Sequence, residues 1–317
     1  MVQKQPADMK ITVCLTDLRP DSWVADLRSA LPDAEVEPWA PGAPQADHAV
    51  VWAPPQTFID EQPRLRGLFN IGAGVDALLG LRLPPSMRIV RLDDAGMGVQ
   101  MAEYVCHALI RHFRDFEGYE ADAREGRWSF RKPRDRMDFA VGVMGLGVLG
   151  QRVAQAISTF EFPVLGWSRS PKQIEGVECH AGRESFDAFL GASRVLVNLL
   201  PLTDDTRGIL NAKSLSRLNG GRPGGYLINV ARGAHLVERD LLSLIDAGQL
   251  AGATLDVFET EPLPPEHPFW RHPRITVTPH ASARTVREVS VAQIAGKIRA
   301  MERGEPIAGV VERDRGY

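Results

Sequence analysis

The feature that most restricts this chain is Gly145-Leu146-Gly147-Val148-Leu149-Gly150, a G-x-G-x-x-G string set between two contrasting patterns. Before it runs Phe139-Ala140-Val141-Gly142-Val143-Met144, a short apolar stretch that reads as a buried strand. After it, Val153, Ala154, Ala156 and Ile157 recur at helical spacing. Glycine spacing alone recurs by chance, and an ordinary surface turn would also use it. The flanking strand and helix are what give it meaning. In that setting Gly145 permits the tight turn, Gly147 lets the backbone approach a pyrophosphate, and Gly150 lets the helix lie close to the strand. The helix N-terminus offers free N–H groups and a positive dipole end to phosphates.

The same alternation fills most of the 317 residues, a length suited to about two domains. Ile11–Leu15, His48–Trp52 and Arg88–Leu92 read as strands, with Asp21-Ser22 capping a helix that carries Trp23, Val24, Leu27 and Leu31. Residues 99–124 read as one long linking helix, followed by a basic, aromatic, irregular arm, Gly126–Pro133. After the glycine turn and its helix through Ile157 come strands at 164–167, 194–199, 226–230, 253–258 and 275–278. Helices at 185–190, 212–218 and 238–246 separate them, and a last helix spans 287–302. Strands separated by helices predict an α/β fold with parallel sheets.

Apolar residues make up 44% and charged residues 24%, which excludes a disordered chain. The net charge of −3 gives no electrostatic footprint for nucleic acid or an anionic membrane. No apolar run is long enough to span a bilayer, and the first ten residues carry no secretory apolar core. Cys14, Cys106 and Cys179 are odd in number and far apart. That argues against disulfides or a metal site and fits a reducing, cytoplasmic compartment.

A dinucleotide site selective for NAD places an Asp or Glu about 20 residues after the glycines, on the ribose 2′-hydroxyl. Here the stretch reads Leu165-Gly166-Trp167-Ser168-Arg169-Ser170-Pro171-Lys172 and holds no carboxylate. Arg169 and Lys172 supply positive charge, and Ser168 and Ser170 supply hydroxyls. Guanidinium suits bidentate recognition of phosphate, so NADPH is the expected cofactor, with NADH as the alternative.

Arg232, Glu261 and His280 each follow the end of an expected strand, the edge that faces the ligand crevice in open α/β sheets. Taken singly, Arg232 also reads as a helix cap, Glu261 as a surface carboxylate and His280 as a turn residue. Taken together they suit reduction of a 2-oxo acid. Imidazolium donates a proton near neutral pH, a carboxylate beside it favours the charged form, and arginine holds a substrate carboxylate.

The motifs, in order, resemble the D-isomer-specific 2-hydroxyacid dehydrogenase family. They are Gly72-Ala73-Gly74-Val75-Asp76, the Gly145–Gly150 turn, Asn198-Leu199-Leu200-Pro201-Leu202-Thr203, Asn229-Val230-Ala231-Arg232-Gly233, Leu255–Leu263 and Thr278-Pro279-His280. Trp167-Ser168-Arg169-Ser170, Phe269-Trp270-Arg271-His272-Pro273 and Arg315-Gly316-Tyr317 are similar to its glyoxylate/hydroxypyruvate reductase A branch. The resemblance implies two Rossmann-like or flavodoxin-like domains, the nucleotide-binding domain inserted into the substrate-binding one. Residues 1–96 plus 285–317 would form the substrate-binding domain. Residues 97–284 would form the NAD(P)-binding domain, including the linking helix and an arm that reaches a second subunit of a homodimer. It implies His280 as proton donor, Glu261 as its partner and Arg232 as substrate anchor. Ala73 and Gly74 amides would bind the substrate carboxylate. Pro201, Ala231 and Asp256 would contact the cofactor, Asp256 at the carboxamide. Trp52 and Met101 read equally as pocket wall or core. The activity implied is NADPH-dependent reduction of glyoxylate and hydroxypyruvate. A bulkier 2-oxo acid such as phenylpyruvate, or a non-catalytic NAD(P)-sensing role, stays open beside it.

Overall fold

The segment Ile11–Cys14 is buried along its whole length, as expected for a strand covered on both faces. It sits in β1 (Met9–Leu15), and with β2 (Ala34–Pro38), β3 (His48–Trp52), β4 (Gly67–Asn70) and β5 (Arg88–Val90) it forms a wholly parallel sheet ordered β2-β1-β3-β4-β5. Pro38, which lacks an N–H, is tolerated because β2 is an edge strand. The crossovers carry α1 (Asp21–Ala30), α2 (Gln56–Glu61) and α3 (Asp76–Leu79). The C-terminal helix Arg287–Glu302 packs on α1, joined by the Arg287–Asp26 ion pair at 2.7 Å.

This computed structural model describes residues 9–316, and the chain divides into two units. One contains the sheet just given and comprises residues up to Gly96 and from Thr285 onward; the other is Met97–Arg284. The leader reading at residues 1–8 and the Tyr317 end of its motif lie outside the described residues.

The second unit starts with α4 (Met97–Arg114) and α5 (Phe116–Arg124), not one long helix. The break is Asp115, which takes the left-handed conformation (φ 52°) and pairs with Arg131. Aspartate tolerates that conformation better than most residues do. The segment that follows is irregular and leaves Trp128 and Phe130 almost fully exposed. Then come β6 (Val141–Met144), α6 (Val148–Ser158), β7 (Val164–Ser168), β8 (Glu178–Ala181), α7 (Phe186–Ala192), β9 (Val195–Asn198), α8 (Ala212–Leu215), β10 (Gly225–Asn229), α9 (Glu238–Asp246), β11 (Leu250–Leu255) and β12 (Ile275–Val277). All pairings are parallel, in the order β12-β11-β10-β9-β6-β7-β8. Strand order reverses between β6 and β9, and in such sheets the ligand crevice opens beyond the carboxyl ends of the two strands at that point.

Several sequence expectations move. Asp21 is the first residue of α1, where its charge suits the helix N-terminus, and Pro20 takes the cap position. The helix expected to reach Leu218 stops at Leu215, and the last two strands end earlier than their apolar runs. β2, β4, β8, α2 and α3 carried no clear periodic signal: β2 and β8 are half-exposed edges, and the others span only four to six residues. Met101 is buried in the core of α4 and β6, so its reading as core holds. No helix among the described residues is long and apolar enough to cross a membrane.

Candidate active site

The glycine turn lies at the strand-order reversal. Gly145 has φ +96°, and a Cβ there would stand 2.6 Å from the Leu199 carbonyl oxygen, at the end of β9. At Gly150 the reason differs from the expected helix–strand clearance. A Cβ would come within 1.8 Å of the Gly145 carbonyl oxygen, so this glycine lets the turn close on itself. Gly147 is different again. Its φ is an ordinary −76° and a Cβ would meet nothing within 4 Å. Neither strain nor packing requires glycine there, which leaves close approach of a ligand as the physical reason. Leu146 is buried and fits against Gly166, so only its backbone faces the turn; Val148 is exposed and Leu149 half-buried against the core. These features fit a dinucleotide pyrophosphate at the N-terminus of α6.

At the end of β7 the structure separates the four expected residues. The Ser168 hydroxyl is buried and donates to the Ser170 carbonyl at 2.7 Å, so it shapes the loop. Arg169 is half exposed and faces Asp205 at 3.8 Å; Arg183 reaches the same carboxylate at 2.6 Å. Ser170 and Lys172 are exposed. The expected carboxylate is absent from β7, but one arrives from the loop after Pro201 and lies between two guanidinium groups. Sequence spacing gave no sign of Asp205 or Arg183.

The structure brings Glu261 and His280 together. His280 Nδ1 donates to Glu261 Oε2 at 2.8 Å, and Glu261 Oε1 accepts from the Phe258 N–H at 2.9 Å. Burial pushes the Glu261 carboxyl up, but the His280 and Phe258 hydrogen bonds, with the charges of His280 and Arg232, outweigh it and hold the group below its ordinary value. The ionised carboxylate fixes Nδ1 as a donor, which leaves Nε2 without a partner among the described residues. Arg232 Nη1 also donates to the Ala231 carbonyl at 2.7 Å, and the Ala231 N–H is spent on Asn229 Oδ1. Gly233 ends the Arg232 motif, and the sequence reading gave it no role. A Cβ on it would overlap the Phe258 carbonyl carbon at 1.8 Å, so only glycine lets the Arg232 turn lie against the loop that carries Glu261.

Asp256 lies fully buried beneath His280. It accepts the Thr278 hydroxyl at 2.5 Å and the N–H groups of Ala281 and Ser282 at 2.8 and 2.9 Å, and its carbonyl accepts the His280 N–H at 2.8 Å. Tyr104, whose phenol burial pushes up to about 12, stays protonated and donates to Thr278 at 2.5 Å. Asp256 is thus the bed on which the left-handed turn at His280 (φ 51°) is laid. Pro201 gives its carbonyl to the Thr206 hydroxyl at 2.8 Å.

In the other unit, Trp52 ends β3, packs its ring against Gly72 and stays partly exposed. Asn70 Nδ2 donates to the carbonyls of Gly72 and Gly74 at 3.1 and 2.8 Å. The N–H groups of Ala73 and Gly74 have no partner among the described residues, and successive free N–H groups suit an anion. Among the described residues no cluster of His, Cys, Asp or Glu is placed to hold a metal ion.

The family model of the D-isomer-specific 2-hydroxyacid dehydrogenase NAD-binding domain matches residues 106–282. Glyoxylate/hydroxypyruvate reductase A of Serratia proteamaculans (strain 568) is 48% identical over 304 residues, covering 94% of this chain and 96% of that protein. Among solved structures, a D-isomer-specific 2-hydroxyacid dehydrogenase from Xanthobacter autotrophicus Py2, in complex with NADPH and MES, superimposes with TM-score 0.92 at 38% identity, covering 98% and 99% of the two chains. An NADPH-dependent glyoxylate/hydroxypyruvate reductase from Sinorhizobium meliloti, bound to NADP and sulfate, gives 0.89 at 39% identity over 98% and 100%. With motifs, fold and relatives in agreement, the chain belongs to the D-isomer-specific 2-hydroxyacid dehydrogenase family.

Proposed function

We propose that this protein reduces small 2-oxo acids, glyoxylate to glycolate and hydroxypyruvate to D-glycerate, at the expense of NADPH. The observation that carries the reading is the His280–Glu261 hydrogen bond at 2.8 Å, made by two loops at the carboxyl edge of the sheet. Gly145, Gly147 and Gly150 admit the pyrophosphate, and Arg169, Ser170 and Lys172 receive the 2′-phosphate. Bound NADPH supplies a hydride to the keto carbon. His280 then gives its Nε2 proton to the carbonyl oxygen that gains the electron pair, and Glu261 stabilises the imidazolium beforehand. Arg232 holds the substrate carboxylate and polarises the neighbouring carbonyl. The free N–H groups of Ala73 and Gly74 suit an anion in the first unit.

The test is loss of reduced-nicotinamide absorbance over a panel of glyoxylate, hydroxypyruvate and phenylpyruvate, with NADPH and with NADH. Turnover fastest with phenylpyruvate would move the assignment to a bulkier acid. Cofactor binding without turnover of any acid would make the protein a sensor. We further propose a homodimer in which Trp128 and Phe130 of the arm meet a second copy; their near-complete exposure supports it, and sedimentation of Trp128→Ala against wild type tests it. A cytoplasmic location suits the three free thiols, and cell fractionation checks it.

A further inference from the structure

Asn198 closes β9, Asn229 closes β10, and His235 follows the Arg232 turn; all three are fully buried. Their hydrogen bonds have one self-consistent direction. The Leu200 N–H reaches Asn198 Oδ1 at 3.2 Å, which fixes that amide. Asn198 Nδ2 is therefore the donor to Asn229 Oδ1 at 3.0 Å and to His235 Nδ1 at 2.9 Å. Asn229 Oδ1 also accepts the Ala231 N–H at 3.3 Å, and its Nδ2 donates to the Arg232 carbonyl at 3.2 Å. The Pro201 carbonyl can only accept, so His235 carries its proton on Nε2 and donates there at 3.2 Å. The imidazole is thus a neutral link with one nitrogen on each side: Pro201 on one, and on the other the asparagine pair that holds Ala231 and Arg232.

We propose that His235, with Asn198 and Asn229, is a positioning relay that ties the Pro201 segment to the Arg232 backbone, so that dinucleotide and 2-oxo acid strengthen each other's binding. The inference rests on the functional reading above, in which Pro201 lines the cofactor and Arg232 anchors the acid. Its physical basis is shared ordering. Whichever ligand binds first fixes both segments through the relay, and the second pays less to order them. A His235 that only filled a polar hole in the core would stabilise the fold without coupling the two ligands.

The measurement is the dissociation constant of NADPH, by fluorescence titration, with and without oxalate. Oxalate has the planar, anionic shape of glyoxylate but no ketone or aldehyde to reduce. In wild type we expect oxalate to tighten NADPH about fivefold or more. His235→Asn keeps an acceptor near Asn198 and loses the donor to Pro201; His235→Gln keeps a donor reaching Pro201 and loses the acceptor. Each should bring the ratio close to one while still binding NADPH. A wild-type ratio of one overturns the proposal. So do variants that melt earlier but keep the wild-type ratio. Because binding and turnover are read separately, coupling without reduction of any 2-oxo acid would sink the functional reading and leave the relay standing.

Discussion

Arg169→Ala gives the sharpest separation of cofactor recognition from everything else the turn does. The side chain is 49% exposed at the end of β7 and lies 3.8 Å from the Asp205 carboxylate. Its removal therefore leaves the core untouched. A charge-assisted hydrogen bond to a phosphate contributes about 1.5–3 kcal/mol, and half exposure places this one near the low end, about 2 kcal/mol. At about 1.4 kcal/mol per tenfold, KM for NADPH should rise roughly thirtyfold. KM for NADH, which has no 2′-phosphate, should hardly change. Asp205 supplies the internal control. It sits 2.6 Å from Arg183 as well, so it competes with the phosphate for both guanidinium groups. Asp205→Asn should lower KM for NADPH a few-fold, consistent with an exposed pair of about 1 kcal/mol. Steady-state kinetics with glyoxylate and each cofactor, at low and high salt, measure all of this. An equal loss for NADPH and NADH in Arg169→Ala would refute the reasoning, and so would weaker NADPH binding in Asp205→Asn.

Four further outcomes are expected. Gly147→Ala should keep the wild-type melting temperature yet weaken NADPH binding, because its Cβ meets nothing in the protein; Gly150→Ala should also destabilise, by about 1–3 kcal/mol, because its Cβ strikes the Gly145 carbonyl. Thermal melts beside NADPH titrations distinguish them, and identical behaviour of the two would contradict the assigned roles. His280→Ala should lower kcat by about 10²–10⁴ with the fold intact, since its half-exposed side chain bonds only Glu261 among the described residues; the Glu261 carboxyl, held below its ordinary value, should stabilise the wild type over Glu261→Gln above about pH 4.3 and lose that advantage as pH falls through its depressed folded value. A difference in melting temperature that grows toward low pH would reverse that sign. Asp256→Asn places an amide where three donors converge and should cost about 1–3 kcal/mol in a denaturant melt while displacing the His280 turn.

What the sequence made legible, and what it hid, follows from range. The glycine turn and the last helix at 287–302 are local patterns and stand where their periodicity put them; Arg232, Glu261 and His280 still follow strand ends, although β11 and β12 stop earlier than their apolar runs. The break at Asp115 was invisible because the apolar spacing continues across it, while its cause, Arg131, lies on a different segment. Asp205 illustrates the same limit within the site. The rule that reads cofactor choice from the end of β7 sees one strand, whereas the charge meeting a 2′-phosphate is set by every loop that converges there. Asp256 carries the point further. Its motif marks it as a cofactor contact, yet its carboxylate takes three donors from the turn that presents His280. A carboxylate so engaged is costly to disturb, because any donor left unmatched remains buried. The same residue can therefore be indispensable to proton transfer without touching substrate. This is why a motif locates a site more reliably than it assigns labour within it.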